Sequence, residues 1–290
     1  MHKENSICGR KIRKSDAVLY ALIYASAALA VFLILGIILY VFVRGVGQIN
    51  WTFLTKASSF LKGTVGIAGN IVNTLIIIVI TLLIATPVGV GSAIYLNEYA
   101  HPGKLVTLIE FTTETLSGIP SIIYGLFGMM FFGKIWGYSI LTGALTLTIM
   151  VLPLITRNTQ EALKAVPASY RQGSLGIGAT KWYMIRTVLL PSAMPGIVTG
   201  IILAIGRIVG ESAALLFTAG SDGKLAKSMA AFFGKIFESG GTLTIELYLR
   251  MSNGEYQVAF GIGCVLLIIV LLINASTKFL AQKFDVSAKG

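Results

Sequence analysis

The sequence predicts an all-α membrane protein with six transmembrane helices. Of its 290 residues, 55% are hydrophobic and only 12% are charged, whereas a soluble domain carries about 25% charged residues. The apolar residues form runs that are long enough to cross a bilayer, and the basic residues collect between some of these runs. The low charge and the long apolar runs exclude a soluble enzyme.

Six stretches approach or exceed the roughly 20 mostly apolar residues that a membrane-spanning helix needs. The predicted spans are residues 18–43, 66–95, 111–132, 138–156, 192–219 and 256–280. The third span is separated from the fourth only by "GKIWG", and the fourth is the shortest. Proline and glycine occur inside several of these runs, which transmembrane helices tolerate better than soluble helices do.

The positive charges predict how these helices are oriented. Lysine and arginine are concentrated in the amino-terminal tail 1–17, in the loop 157–190 and after the last span, where 282–290 forms a second tail. The positive-inside rule places all three segments in the cytoplasm, which six spans satisfy and five cannot. Orientation and anionic lipid explain the net charge of +11 better than nucleic-acid binding does, because the basic residues form no stripe.

The longest cytoplasmic loop contains "GSLGIGATK", a glycine-rich stretch that superficially resembles a phosphate-binding loop. A P-loop requires G-x-x-x-x-G-K-[ST] after a strand, and here Gly173 and Gly178 have the spacing while Ala179 occupies the lysine position. The stretch instead predicts two short helices joined by a glycine-rich turn. Cys8 and Cys264 lie far apart and have no metal-ligand spacing, and no nucleophile has a neighbouring base. The sequence therefore predicts no catalytic residue and no metal site.

The same loop resembles the cytoplasmic coupling loop of ABC importer permeases, whose pattern is E-A-A, three residues, Gly, nine residues and I-x-L-P. The matching residues are Gln172, Gly173, Ser174, Gly178, Val188, Leu190 and Pro191. The match is inexact, because Gln172 replaces the acidic residue and Gly173 replaces an alanine. The resemblance implies that this loop contacts an ATPase. The alternative is an amphipathic linker that lies on the membrane surface.

Three further stretches indicate which group of ABC importer permeases the chain resembles. These are "GIAGNIVNTLIIIVITLLIATPVGVGSAIYLNEYA", "LSGIPSIIYGLFG" and "RIVGESAALLFTAG". In this order they resemble the PstA-type membrane subunits of phosphate ABC importers. The family implies a type I importer permease domain over residues 64–281, with the coupling loop at 157–191, in the inner membrane of a prokaryotic cell.

The resemblance also implies the partners. We expect a PstC-type permease as the second half of the path, two copies of a PstB-type ATPase, and an extracellular PstS-type protein that delivers phosphate. ATP and magnesium would bind the ATPase, so no cofactor is expected in this chain. Membrane lipid surrounds the spans, and no nucleic acid is expected.

Arg207 and Glu211 are the charged residues within "LAIGRIVGESAALLFTAG" in the fifth span. Arg207 lies about fifteen residues into that span, near mid-depth at 1.5 Å per residue, and the four-residue spacing predicts that both side chains share one helix face. A charge at that depth costs from about 2.5 to more than 10 kcal/mol unless it faces the protein interior or a wet cavity. Because a guanidinium binds phosphate oxygens bidentately, we expect Arg207 in the phosphate pathway and Glu211 as a carboxylate that favours release. The alternative is a structural ion pair.

Arg157 is a third predicted residue of the phosphate pathway, and only the family resemblance supports this assignment. The family has a substrate-path arginine at the inner end of the fourth span, and Arg157 in "ITRNTQEA" matches it. The alternative is an arginine that extends to the membrane surface. Three residues beyond it the family has a glutamate, where this chain has Gln160. Glu110 and Glu114, on one face at the start of the third span, are predicted as interfacial carboxylates near the coupling loop.

Three other functions fit parts of the sequence. A permease for another oxyanion, such as molybdate, tungstate or sulfate, would have the same architecture. A non-transporting membrane scaffold that relays phosphate status would keep the coupling loop but tolerate the loss of Arg207. An ATP-independent channel or secondary carrier would leave the coupling loop unexplained.

Overall fold

The structure, a computed structural model, describes residues 14–59, 64–101, 103–225 and 229–284. The helices in these residues are, in chain order, α1 (Lys14–Gly45), α2 (Trp51–Thr55), α3 (Ala68–Ile94), α4 (Lys104–Ser117), α5 (Ser121–Phe131), α6 (Gly133–Trp136), α7 (Ile140–Ala165), α8 (Ala168–Gly176), α9 (Lys181–Met184), α10 (Leu190–Gly210), α11 (Ala213–Leu216), α12 (Met229–Gly234), α13 (Leu243–Ser252) and α14 (Tyr256–Phe284). A π-helical turn at Tyr95–Tyr99 extends α3, and another at Ile185–Leu189 joins α9 to α10. Two short strands, β1 (Ala57–Ser59) and β2 (Thr64–Ile67), form an antiparallel hairpin.

Five helical stretches of the described ranges are long and apolar enough to cross a membrane: α1, α3, α7, the continuous run from α9 to α10, and α14. The remaining predicted span, 111–132, is two helices rather than one, because α4 ends before Gly118 and α5 begins after Pro120. Proline has no N–H and disfavours a helical conformation in the residue before it. The Tyr124 hydroxyl crosses this break and donates a hydrogen bond to the Leu116 carbonyl, at 2.7 Å.

Helix α7 lies at the centre of the bundle and packs against α3 and α10. Its fully buried side chains include Leu147, Val151 and Ile155. The contact with α10 depends on glycine, because a Cβ built on Gly200 would lie 2.7 Å from Cβ of Asn158, and one on Gly196 would lie 2.6 Å from Cβ of Ala162. Small residues of this kind allow close approach between membrane helices. The two pairs also show that α7 and α10 run antiparallel.

The predicted fourth span is longer than expected. Helix α7 continues to Ala165, so Arg157 lies inside a helix and not at the start of a loop. The loop that follows confirms the prediction of two short helices. Helix α8 ends at Gly176, Gly178 has a positive φ of 86°, and the Thr180 hydroxyl begins α9 by accepting a hydrogen bond from the Tyr183 N–H at 3.3 Å.

The structure corrects the prediction for the span 192–219. Helix α10 ends at Gly210, and Glu211 has an extended backbone with φ −80° and ψ 123°. No proline causes this break; instead, the Thr244 hydroxyl donates a hydrogen bond to the Glu211 carbonyl at 2.8 Å. A Cβ on Gly125 of α5 would lie only 2.8 Å from Cα of Ala214, so α5 packs directly on the short helix α11.

The hairpin and α13 cover the end of the bundle opposite α8 and α9. The hairpin is a departure from the all-helical prediction. Arg250 of α13 joins it to the start of α14, because its guanidinium contacts Glu246 at 2.7 Å, Glu255 at 2.6 Å and the Ser58 hydroxyl at 3.1 Å. Asn73 of α3 donates to the carbonyls of Asp222 and Gly241, which fixes the loop after α11 to the bundle.

Helix α1 touches the rest of the chain mainly at its last turns. Tyr40 packs edge-on against Phe260 of α14, with 5.5 Å between ring centroids, and the Cys264 thiol donates to the Val41 carbonyl at 3.2 Å. The remainder of α1 is exposed and apolar, as lipid contact requires. Cys8, most of the predicted tail 1–17 and most of 282–290 lie outside the described residues.

Candidate functional site

Arg207 lies at the middle of the bundle, although it belongs to the last turn of α10. Gly200 is opposite Asn158 and the helices are antiparallel, so seven residues further along, Arg207 is level with about residue 151 of α7. That residue is close to the centre of the 26-residue helix α7. This register agrees with the mid-depth position that the sequence predicts for Arg207. The reason differs, because α10 ends at mid-depth and does not continue across the membrane.

Two interrupted helices meet at this level. The break between α4 and α5 lies beside Tyr124, and a Cβ on Gly128 would meet the Thr146 side chain of α7, which makes Tyr124 level with about residue 150. Non-helical backbone at membrane depth is tolerated where it is buried in protein or lines a wet cavity, and discontinuous helices often form substrate sites in transporters.

Arg207 as a whole residue is half-buried. Among the described residues it forms no ion pair and no hydrogen bond. A buried or half-buried cation without a partner is costly at this depth. Its donors are therefore available to an anion.

Glu211 does not pair with Arg207, and the expectation that the two share one helix face is wrong. The residue lies beyond the end of α10 and is 9% exposed. Its Oε1 accepts a hydrogen bond from the Ala214 N–H at 3.0 Å, which satisfies a free donor in the first turn of α11. In this conformation Glu211 holds the break in place, and the structural ion pair considered from the sequence is absent from the described residues.

Arg157 lies in a second polar cluster, nearer the coupling loop. Its Nη1 is 3.5 Å from Glu114 Oε1 of α4, and its Nε is 3.4 Å from Glu161 Oε1 of its own helix. The Arg157 side chain is 56% exposed, and it borders a cavity of about 230 Å³ that Glu110 and Lys164 also line. Three carboxylates and two basic groups therefore surround this cavity. Six residues of α7 separate Arg157 from the level of Arg207, or about 9 Å.

The predicted coupling residues fall into two groups. Gln172, Gly173 and Gly178 are exposed on α8 and its following turn, and Ser174 donates to the Tyr170 carbonyl at 2.7 Å. Beside them Ile177 is 88% exposed, although sequence reasoning did not select it. The second group, Leu190 and Pro191, forms the first turn of α10. Leu190 packs against the buried cluster that contains Met184, Ile185 and Leu189, so this group positions the loop instead of forming its exposed surface.

Sequence reasoning missed one ion pair beneath this loop. Arg171 of α8 binds Glu98 at the end of α3, with 3.0 Å between Nη2 and Oε1. The two residues are 73 positions apart, and only the fold brings them together. A possible signal was Glu98 itself, an acidic residue directly after a long apolar run. Across the described ranges, no group of three or more histidine, cysteine or acidic residues is arranged to hold a metal ion.

Comparisons with known proteins agree with this architecture. Residues 85–286 match the family described as binding-protein-dependent transport system inner membrane component. The chain is 37% identical to the probable ABC transporter permease protein YqgI of Bacillus subtilis (strain 168), over 88% of this chain and 90% of that protein. It is 32% identical to the phosphate transport system permease protein PstA 2 of Mycobacterium tuberculosis (strain CDC 1551 / Oshkosh), over 89% and 85%.

Solved structures show the same fold. A chain of the bacterial alginate ABC transporter, solved with its alginate pentasaccharide-bound periplasmic protein, superposes with a TM-score of 0.70 at 14% identity and covers 94% of this chain and 96% of that chain. A chain of the inward-facing MetNI methionine ABC transporter gives 0.57 at 23% identity, over 76% and 94%. The protein therefore has the type I ABC importer permease fold, and it belongs to the family of inner membrane components of binding-protein-dependent transport systems.

Proposed function

We propose that this chain is the membrane-spanning permease subunit of an ATP-driven phosphate importer, and that it forms half of the path for the anion. The observation that carries the proposal is Arg207, a half-buried residue whose guanidinium has no partner among the described residues, at the mid-depth level where two interrupted helices meet. The names of relatives such as PstA 2 support phosphate as the substrate.

The two arginines provide successive sites for a hydrated anion. Phosphate must exchange its water for fixed donors inside the bilayer, and a guanidinium supplies several donors in one plane without losing its charge. Arg207 binds the ion first, because it lies further from the coupling loop than Arg157 does, and no carboxylate of the described residues competes for it within ion-pair distance. Arg157 receives it about 9 Å further along α7, where Glu114 and Glu161 compete for the same guanidinium. That competition favours release on the side of the coupling loop.

The carboxylates beside Arg157 also favour phosphate over other oxyanions. Phosphate keeps a proton at neutral pH, whereas sulfate and molybdate carry none. A carboxylate accepts a hydrogen bond from a protonated oxygen but repels an oxyanion that has no proton to donate. Glu114 and Glu161, both within 3.5 Å of Arg157, can therefore discriminate between these ions.

Energy enters through the coupling loop. Each copy of a PstB-type ATPase binds ATP and magnesium and contacts one permease subunit. In this chain the ATPase contacts the exposed turn at Gly178. A PstC-type permease completes the path and a PstS-type binding protein delivers phosphate from outside. Both termini are cytoplasmic, which the positive-inside rule supports. This chain itself conducts the ion and catalyses no reaction.

Labelled-phosphate uptake by the complete transporter in vesicles tests this function. We expect uptake that requires ATP and that unlabelled phosphate inhibits, while excess sulfate or molybdate does not. Inhibition by molybdate or sulfate would indicate a permease for another oxyanion. ATPase binding without any uptake would indicate a scaffold, and uptake without ATP would indicate a channel or carrier. Each of these three results contradicts the proposal.

A further inference from the structure

A single guanidinium joins the coupling loop to two membrane helices. Arg171 of α8 donates from Nη2 and Nε to Oε1 of Glu98, at 3.0 and 3.2 Å. Nη2 also donates to the Leu163 carbonyl at 2.8 Å, and Nη1 donates to the Val166 carbonyl at 3.0 Å. Glu98 lies in the π-helical turn that ends α3, and the two carbonyls lie at the end of α7. One side chain of α8 therefore binds the ends of both helices.

This contact is more buried than the ion pairs of Arg157 on the same side of the bundle. The side chains of Glu98 and Arg171 are 6% and 23% exposed, whereas those of Arg157 and Glu114 are 56% and 72% exposed. Exposed pairs hold their partners weakly, but removing one partner of a buried pair leaves an unpaired charge. Asn97 donates to the same Glu98 oxygen at 2.7 Å, which fixes the carboxylate in place.

The covalent connection between α7 and α8 interrupts the helix, so helical hydrogen bonds do not continue from one helix to the other. Val166 has an extended backbone between the two helices, with φ −68° and ψ 126°, and Pro167 precedes α8. A force on the exposed end of α8, at Ile177, would bend the chain at these residues unless another contact resisted it. Arg171 is the hydrogen-bonding contact that resists it, beside the apolar packing of Leu163 and Val166, because it crosses the bend and binds the carbonyls of these two residues directly.

We propose that the Arg171–Glu98 pair transmits displacement of α8 to α3 and α7, so that movement of the coupling loop reaches Arg157. Both members are positioning residues and contact neither phosphate nor nucleotide. Arg157 lies six residues before Leu163 on the same helix, about 9 Å away along its axis. The inference rests on the proposed function, because it requires an ATPase that acts on α8.

The test is the amount of phosphate transported per ATP hydrolysed by the complete transporter in vesicles. Glu98→Gln keeps the shape and one acceptor oxygen but removes the charge. We expect this ratio to fall at least about tenfold, equivalent to about 1.4 kcal/mol, while ATPase binding and hydrolysis persist. The matched control is Glu246→Gln, which removes a charge from the similarly buried Arg250 pair, 19% and 12% exposed, at the opposite end of the bundle. Its ratio should equal that of the unmodified protein.

A double-variant comparison distinguishes transmission from general destabilisation. Arg171→Ala also breaks the bonds to α7, so it should lower the ratio further than Glu98→Gln does. In that background, adding Glu98→Gln should change the ratio less than about twofold, because residues that act as a unit are not additive. If Glu98→Gln does not assemble, Arg171→Lys keeps the charge without the planar fork and allows the same measurement.

A normal ratio in an assembled Glu98→Gln or Arg171→Lys variant would overturn the inference, as would an equal loss in Glu246→Gln. The inference would also be contradicted if Arg171→Ala and Glu98→Gln each lowered the ratio independently, so that the double variant showed the product of the two effects. These results leave the proposed function intact, provided that the unmodified transporter imports phosphate. Failure of the unmodified transporter to do so would instead refute the proposed function.

Discussion

Gly178 allows a quantitative test of the coupling loop. A side chain substituted there is disfavoured by the backbone conformation and not by packing against other residues. Its φ is 86°, and, apart from its two chain neighbours, no described residue has an atom within 4 Å of the position that a Cβ would take. A substitution there meets no neighbour, so its effect comes from the left-handed conformation, which costs an ordinary L-residue about 1–2 kcal/mol. That energy corresponds to a fall of about 5- to 30-fold in the population of the observed turn.

We therefore expect Gly178→Ala to weaken productive engagement of the ATPase by about 5- to 30-fold. Gly178→Asn should have a smaller effect, because asparagine visits the left-handed region more readily, and a β-branched valine should have a larger one. The assay titrates the ATPase onto the permease pair in nanodiscs and measures half-saturation of stimulated hydrolysis. Phosphate uptake by the same preparations should decline in the same order.

Gly176 provides the matched control for this series. It is the last residue of α8, its φ is not positive, and a Cβ there would also meet nothing within 4 Å. Alanine favours a helix over glycine by about 0.5–1 kcal/mol, so Gly176→Ala should leave engagement unchanged or slightly improved. Equal losses of ATPase engagement in Gly176→Ala and Gly178→Ala would refute the reasoning. A ranking of the Asn, Ala and Val variants of Gly178 that does not follow their tolerance of positive φ would also refute it.

Three further predictions concern stability, measured as Tm in detergent. Gly200→Leu overpacks the contact between α7 and α10 and should destabilise the protein by about 1–3 kcal/mol. Glu211→Ala removes the acceptor at the start of α11 and should cost about 0.5–2 kcal/mol, whereas Glu211→Gln keeps an acceptor and should melt near the unmodified protein. Lys235 begins the short 3-10 turn Lys235–Phe237 that follows α12 and is buried, and this burial lowers its pKa despite the nearby carboxylates of Asp222 and Glu238. The unfolded chain thus binds this proton more tightly, and stability rises with pH between the folded pKa and 10.5. Lys235→Met should therefore raise Tm at pH 7, with a difference that shrinks as the pH approaches 10.5.

Most of the membrane spans and the two short helices of the loop 157–191 could be predicted, because their causes are local. Long apolar runs specify α1, α3 and α14 without reference to partners. The glycine at position 178 and the threonine at 180 mark the turn and the start of α9, since one supplies a positive φ and the other a capping hydroxyl. The division of 111–132 also had a local signal in Pro120, which with Gly118 predicts a kink or close helix packing, and the structure has a full break there.

The break after Gly210 could not be predicted, because the sequence there continues as an apolar helix would. Its causes are contacts with distant segments, namely the packing of Gly125 on Ala214 and the hydrogen bond from Thr244 to the Glu211 carbonyl. The prediction that Arg207 and Glu211 share one helix face, which assumed a continuous helix, was consequently wrong. The Arg171–Glu98 pair was hidden for the same reason, since only the tertiary arrangement joins α8 to the end of α3.

Labelled-phosphate uptake by Arg207→Ala tests the central claim most directly. Hydrogen bonds to a charged group contribute about 1.5–3 kcal/mol, so we expect uptake to fall about 10- to 100-fold or more, with ATPase binding intact. The control is Arg44→Ala, at the exposed end of α1, where the arginine lies over the Tyr40 ring at 5.6 Å; its uptake should be unchanged. Uptake by Arg207→Ala at the rate of the unmodified protein would contradict the account.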